Sequence, residues 1–242
     1  MRRWLVVLLF LCAPVHADRF VVGVEELRYL PYYDYHNGQY GGMARDVLDA
    51  FSRDSGHQFE YRALPIKRLY VEFLAGNLDF KFPDNPTWAG KDKTGKTVYY
   101  SAPVMPFIDG VLVLPARKGT GSARLQTLGT VQGFTAFDYL DAIAAGKMRL
   151  LEIGTLEALI QASLYQRIDG SYFNVVVAER YLSTRMKLPG ALVFDPALPH
   201  TRSHYHLSSL RHAAVIAQFD QFLQRNQELL AELRRKWQIP SH

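Results

Sequence analysis

The pattern that most restricts the fold of this 242-residue chain is an alternation of short apolar runs with amphipathic stretches, repeated in two rounds. In the first, Phe20-Val21-Val22-Gly23-Val24 reads as a buried strand. A helix carrying Met43, Val47, Leu48 and Phe51 on one face follows and stops at Gly56. Phe59 to Arg62 alternates as a strand. Ile66, Leu69, Tyr70, Phe73 and Leu74 make a second amphipathic helix, and a third strand spans 78–82. The second round has strands at 111–114, ending at 131, at 150–153 and at 175–177. Its helices lie at about 135–145 and around Leu156, Leu159, Ile160 and Leu164. From Leu210 the chain reads as helical almost to its end. Strands alternating with helices call for a mostly parallel sheet with helices on both faces, here an α/β fold in two lobes. Short crossings are expected near 102–109 and 200–205. Ligands of such sheets lie beyond the carboxyl ends of the strands, which here means the cleft between lobes.

Composition narrows the function classes. Arg2 and Arg3, the apolar run from Leu5 to Leu11, and Val15-His16-Ala17 before Asp18 have the order of a secretory signal peptide, residues 1–17. This places the mature protein in the periplasm. A lipid anchor on Cys12 is disfavoured because Leu11 stands where a small residue should precede it. Cys12 is the single cysteine, so the chain beyond the leader has no thiol chemistry and no cysteine–metal site. The leader takes two of the 28 basic residues and none of the 23 acids, which leaves a net charge of +3, too mild to imply a nucleic-acid partner.

Several segments, in order, resemble family 3 of the bacterial extracellular solute-binding proteins, the amino-acid-type receptors of ABC transporters. They are Val22-Gly23-Val24-Glu25-Glu26 with Tyr29-Leu30-Pro31-Tyr32, Gly41-Gly42-Met43-Ala44-Arg45-Asp46-Val47, and Leu74-Ala75-Gly76-Asn77-Leu78-Asp79. Tyr100-Ser101-Ala102-Pro103, Leu125-Gln126-Thr127-Leu128 and the closing run from Leu230 to Trp237 continue the series. The resemblance implies a two-lobed periplasmic-binding-protein type II fold. Lobe 1 would comprise 18–105 with 206–242, and lobe 2 would be 106–205. It also implies a monomer that captures a small solute and serves an inner-membrane ABC permease or a membrane sensor.

The resemblance further implies a pocket. Tyr29, with Tyr32 nearby, matches the aromatic that covers the ligand, and Glu26 an acid that reaches its amine. The loop after the third strand should carry an arginine that forks onto an α-carboxylate. Here it reads from Pro83 to Lys93, with Asp84, Trp88 and Lys91, and no arginine lies between Arg68 and Arg117. Lys91 supplies a point charge at most, and Lys93 reads as a solvated charge. Gly133 and Thr135 fit a turn whose N–H groups meet an anion, or a plain helix cap. Glu179 fits the acid after the central strand of lobe 2, or an exposed acid in a helix's first turn. Carboxylates with aromatic walls suit an amine-bearing solute.

A catalytic constellation is not evident. His204 and His206 share a strand face, but hinge or solvated histidines are the simpler reading, and neither a metal nor another cofactor is expected. The periplasmic cyclohexadienyl dehydratases resemble this fold too. Their glycine-rich "NPGGT" turn corresponds to Val131-Gln132-Gly133-Phe134-Thr135, which lacks the asparagine and the second glycine. A binding protein rather than an enzyme is therefore expected.

Overall fold

The structure is a computed structural model that describes residues 18–240. The expected leader and Cys12 lie outside the described residues, as do the last two residues of the chain.

Strand Arg19–Glu25 is the centre of the first half. It pairs in parallel with Gln58–Leu64 along its whole length and with Phe80–Asp84 on its other edge. Helix Met43–Ser55 buries Met43, Val47, Leu48 and Phe51, and Gly56 ends it in the left-handed conformation (φ 78°). Helix Ile66–Leu74 lies so close to the first strand that a Cβ at Gly23 would come within 2.6 Å of Leu69 and Leu78 side-chain atoms. A side chain there has no room.

The second half repeats the scheme, with Arg149–Ile153, Thr127–Val131 and Gly170–Asn174 in parallel order. Two nine-residue strands, Met105–Val113 and Thr201–Ser209, join the halves. They run antiparallel to each other from Met105↔Tyr205 to Asp109↔Thr201. Beyond that ladder each enters a different half: Asp109 to Leu112 pair with Asn174 to Ser171, and Ser208 pairs with Lys81. The sheet is thus one curled ribbon of ten strands whose waist is this antiparallel pair.

Three elements differ from the sequence reading. The tyrosine-rich loop is a small antiparallel sheet of Arg28–Tyr29, Tyr33–His36 and Gln39–Gly41. The valine run is helical, in Val175–Tyr181, because the Asn174 side chain accepts the Val177 N–H at 3.0 Å and caps a first turn there. The preceding Gly170–Asn174 is the strand. The terminal helix is two, Ala213–Arg225 and Gln227–Trp237. Both return to the first half. Phe219 and Phe222 pack on Phe51 at 5.0 and 5.5 Å, and the Trp237 Nε1–H donates to Asp46. Among the described residues no helix is long and apolar enough to cross a membrane.

Candidate functional site

A cavity of about 570 Å³ opens between the halves, beyond the ends of the parallel strands. That volume lies in the range of small-molecule sites. The first half contributes Glu25 from the end of its central strand, Tyr29 and Tyr33 from the small sheet, and one face of helix Ile66–Leu74, including Tyr70. Trp88 and Asp92 enter from the following loop. The second half contributes Gly133, Phe134 and Thr135, and the waist contributes Asp109.

Contacts cross the cleft at three places. Tyr29 stacks on Tyr33 at 4.6 Å on its own side and meets Phe134 at 5.7 Å and Phe173 at 5.2 Å on the other. Each such pair adds about 0.5–1.5 kcal/mol beyond buried area. Lys67 Nζ reaches Glu152 Oε2 at 3.3 Å. Ile66 abuts Gly133, where a Cβ would lie 3.1 Å from Ile66 Cβ and φ is 92°. The close approach therefore requires glycine at this position.

The charges of the site sort into partnered and unpartnered groups. Beneath Tyr70 and Trp88 lies a buried cluster in which Lys93 donates to Asp84 at 3.1 Å. Lys81 sits 3.6 Å from the same oxygen and 4.4 Å from the Tyr70 ring centre. Burial alone would raise the Asp84 carboxyl, but Lys81, Lys93 and the Ser208 hydroxyl hold it below the ordinary carboxylate range. Glu25, 4% exposed, accepts the Tyr33 hydroxyl. Burial pushes its carboxyl up, while Lys81 and Tyr33 oppose that rise. Two lysines and two acids thus balance.

Asp109 does not balance. It is 8% exposed, and its Oδ1 is buried with no hydrogen-bond partner. Burial pushes its carboxyl up to about 7, against the opposing pull of the Asn174 amide across the ladder. A buried acid with an orphan oxygen at a cavity wall has a ready complement in a ligand cation or N–H donor.

Of the residues expected at the site, Tyr29, Trp88, Gly133 and Thr135 line the cavity, and the others do not. Glu26 is exposed, one residue beyond the strand, with its N–H tied to Leu64. The acid on the cavity side is Glu25, because successive strand residues face opposite ways. Tyr32 is buried behind Tyr29, edge-on to Tyr205 at 5.1 Å. Asp84 spends its charge on the two buried lysines. Lys91 is exposed, and Lys93, read as solvated, is the buried partner of Asp84. Glu179 is exposed on helix Val175–Tyr181, where it borders a different surface hollow with Pro189 and Gln238. The expected count to it ran along a strand that is helical here. The sequence reading missed Asp109, whose signal was a lone acid inside the apolar run from Phe107 to Leu114. It also missed Glu25, which closes the strand on the face of Gly23, the face packed against helix Ile66–Leu74. His206 Nδ1 meets the Ser101 carbonyl at 2.7 Å on the waist strand, and no group of three potential metal ligands occurs among the described residues.

No protein-family model matches the sequence, and no curated protein matches it. Solved structures do. The arginine-, lysine-, histidine-binding protein ArtJ from Geobacillus stearothermophilus matches at 18% identity over 90% of this chain and 94% of its own, with a TM-score of 0.70. The GluR0 ligand-binding core in complex with L-glutamate matches at 16% over 92% and 99%, TM-score 0.73. The ancestral amino acid-binding protein AncCDT-1, a precursor of cyclohexadienyl dehydratase, matches at 17% over 90% and 95%, TM-score 0.68. At these identities the likeness speaks for architecture. The chain has the two-lobed periplasmic-binding-protein type II fold of the amino-acid-binding proteins, the fold implied by its sequence resemblance to family 3 of the solute-binding proteins.

Proposed function

We propose that the protein is a periplasmic solute-binding protein that captures a small, amine-bearing organic solute between its lobes. Lobe 1 is 18–105 with 206–242, and lobe 2 is 106–205. The observation that carries this reading is Asp109, a buried carboxyl without a partner for its Oδ1, in the wall of a cavity formed with Tyr29, Tyr33, Tyr70, Trp88 and Phe134. A ligand ammonium brought against it gains a charge-assisted hydrogen bond in a poorly hydrated site, and the rings add contact area and cation–π attraction. Glu25 is the second acid of the pocket, held by Tyr33.

Because both halves line the cavity, a bound solute bridges them and favours the closed arrangement over an open one. The closed protein is then the form recognised by a membrane partner. An inner-membrane ABC permease is the first choice and a membrane sensor the alternative, and the protein acts as a monomer.

The test is a thermal-shift panel on protein unfolded and refolded to strip carried-over solute. It should contain polyamines, aromatic amines, quaternary amines, amino acids, simple carboxylates and prephenate. A ligand at about 100 times its Kd adds about 2.7 kcal/mol, readily seen as a raised Tm. Stabilisation by amines is expected. Stabilisation by simple carboxylates with failure of every amine would sink the proposal. Turnover of prephenate would move the protein to catalysis.

A further inference from the structure

Among the described residues, the one cation on the cavity wall, and the N–H of the Gly133 turn facing it, are already in use. A carboxylate needs a cation, convergent N–H donors, or both. The cation on the cavity wall is Lys67, and the turn at Gly133 offers a backbone N–H beside it. A single side chain engages both. Glu152 Oε2 lies 3.3 Å from Lys67 Nζ, and Glu152 Oε1 accepts the Gly133 N–H at 3.0 Å. The Gly133 N–H, then Lys67, hold the Glu152 carboxyl below its ordinary range, so it stays anionic at neutral pH. The buried lysines are committed as well: Lys81 to Asp84 and the Pro83 carbonyl, Lys93 to Asp84 and the Asn85 carbonyl. The remaining charged groups on the cavity wall, Glu25, Asp92 and Asp109, are all acids.

We propose that Glu152 fills, with the protein's own carboxylate, the place where an amino acid's α-carboxylate would sit, so that the cleft selects amines that carry no carboxylate. The proposal deepens the amine-binding function and rests on it. An entering α-carboxylate would meet the acids of the wall and could pair with its one cation only by displacing Glu152 from Lys67. A decarboxylated amine needs no displacement, because its ammonium goes to Asp109 while Glu152 keeps the lobes joined through Lys67. Glu152 is thus a specificity-determining residue that acts by holding Lys67 and the Gly133 N–H, both on the cavity wall.

The experiment is calorimetric titration of the stripped protein at pH 8 and low salt with matched pairs: tyramine and tyrosine, agmatine and arginine, histamine and histidine. In any pair that binds, the amine should bind at least about tenfold more tightly than the amino acid, a difference of about 1.4 kcal/mol. Glu152→Ala should narrow or reverse that ratio by tightening the amino acid, because it frees Lys67 and the Gly133 N–H. Adding Lys67→Met should abolish the gain. Glu152→Gln, which keeps the bulk and an acceptor for Gly133, serves if the alanine variant folds poorly, and it should move the ratio in the same direction. If the amino acid binds as tightly as its amine in the unmodified protein, or if neither Glu152 variant moves the ratio, the proposal is overturned while amine capture stands. If no amine in any pair binds and none in the wider panel does, amine capture itself fails and takes this proposal with it.

Discussion

Asp109→Asn should make the ligand-free protein more stable, by an amount that depends on pH. A carboxyl with an ordinary pKa of about 3.9 is held at about 7 in the fold, chiefly by burial. The sign follows from linkage. Between about pH 4 and 7 the folded state retains a proton that the unfolded state has lost, so stability falls as pH rises, by about 1.4 kcal/mol per pH unit. Above about 7 both states are ionised and the loss levels off, at a ceiling on the order of 4 kcal/mol. The groups facing Asp109 are Asn174 and Thr201 across its two ladders, the hydroxyls of Tyr29, Tyr32, Tyr172 and Tyr205, and the carboxyls of Asp138 and Glu25. Burial raises all four tyrosines above their ordinary values, so they stay neutral across this window. The asparagine keeps the shape and removes the charge. Thermal melts of stripped protein should therefore show a gain of about 1.5 kcal/mol at pH 5 that grows to about 4 kcal/mol at pH 8, at about 2–4 °C per kcal/mol for a chain of this size. An equal gain at both pH values, or a loss at pH 8, would refute the reasoning.

Three further outcomes follow from the same contacts. Affinity for an amine should fall about tenfold per pH unit below about 7, where Asp109 must first lose its proton, and stay level above that; calorimetry from pH 5.5 to 8.5 reads it directly. Asp84→Asn should cost about 3–5 kcal/mol in urea unfolding by leaving Lys81 and Lys93 without their buried counter-charge, with the order of ligand preference unchanged. Gly133→Ala should leave the Tm within a few degrees but weaken binding and raise the radius of gyration in solution scattering, because the added Cβ meets Ile66 across the cleft at a positive φ.

The architecture was legible because it rests on repeated patterns. Each parallel strand is a short apolar run and each flanking helix has one apolar face, so Val22, Val24, Leu48 and Phe51 announce their elements. The valine run 175–177 misled for a physical reason: β-branched residues suit a buried strand, but Asn174 in front of them is a capping residue, and the cap decided. Where a strand ends, its period stops reporting burial. Glu25 and Glu26 are adjacent and chemically alike, yet Glu25 closes the strand and is buried, while Glu26, in step with Phe20, Val22 and Val24, lies past the strand's end and is exposed. Lys93 and Asp84 lie nine positions apart on a loop with no regular period, so their pairing depends on a tertiary path that local sequence does not encode. Asp109 stood in view inside an apolar run, and only the meeting of three strands at the waist makes it the site's uncompensated acid.

The central claim is that Asp109 receives the ammonium group of a solute enclosed between the lobes. Its most direct test is calorimetric titration at pH 8 of the tightest-binding amine into the stripped protein and into Asp109→Asn, with Glu26→Gln as the exposed-acid control. The account predicts binding to the unmodified protein and to the control. It predicts a loss of at least about 2 kcal/mol, some thirtyfold, in Asp109→Asn. Undiminished binding to Asp109→Asn, or a loss in Glu26→Gln of the same size, would contradict it.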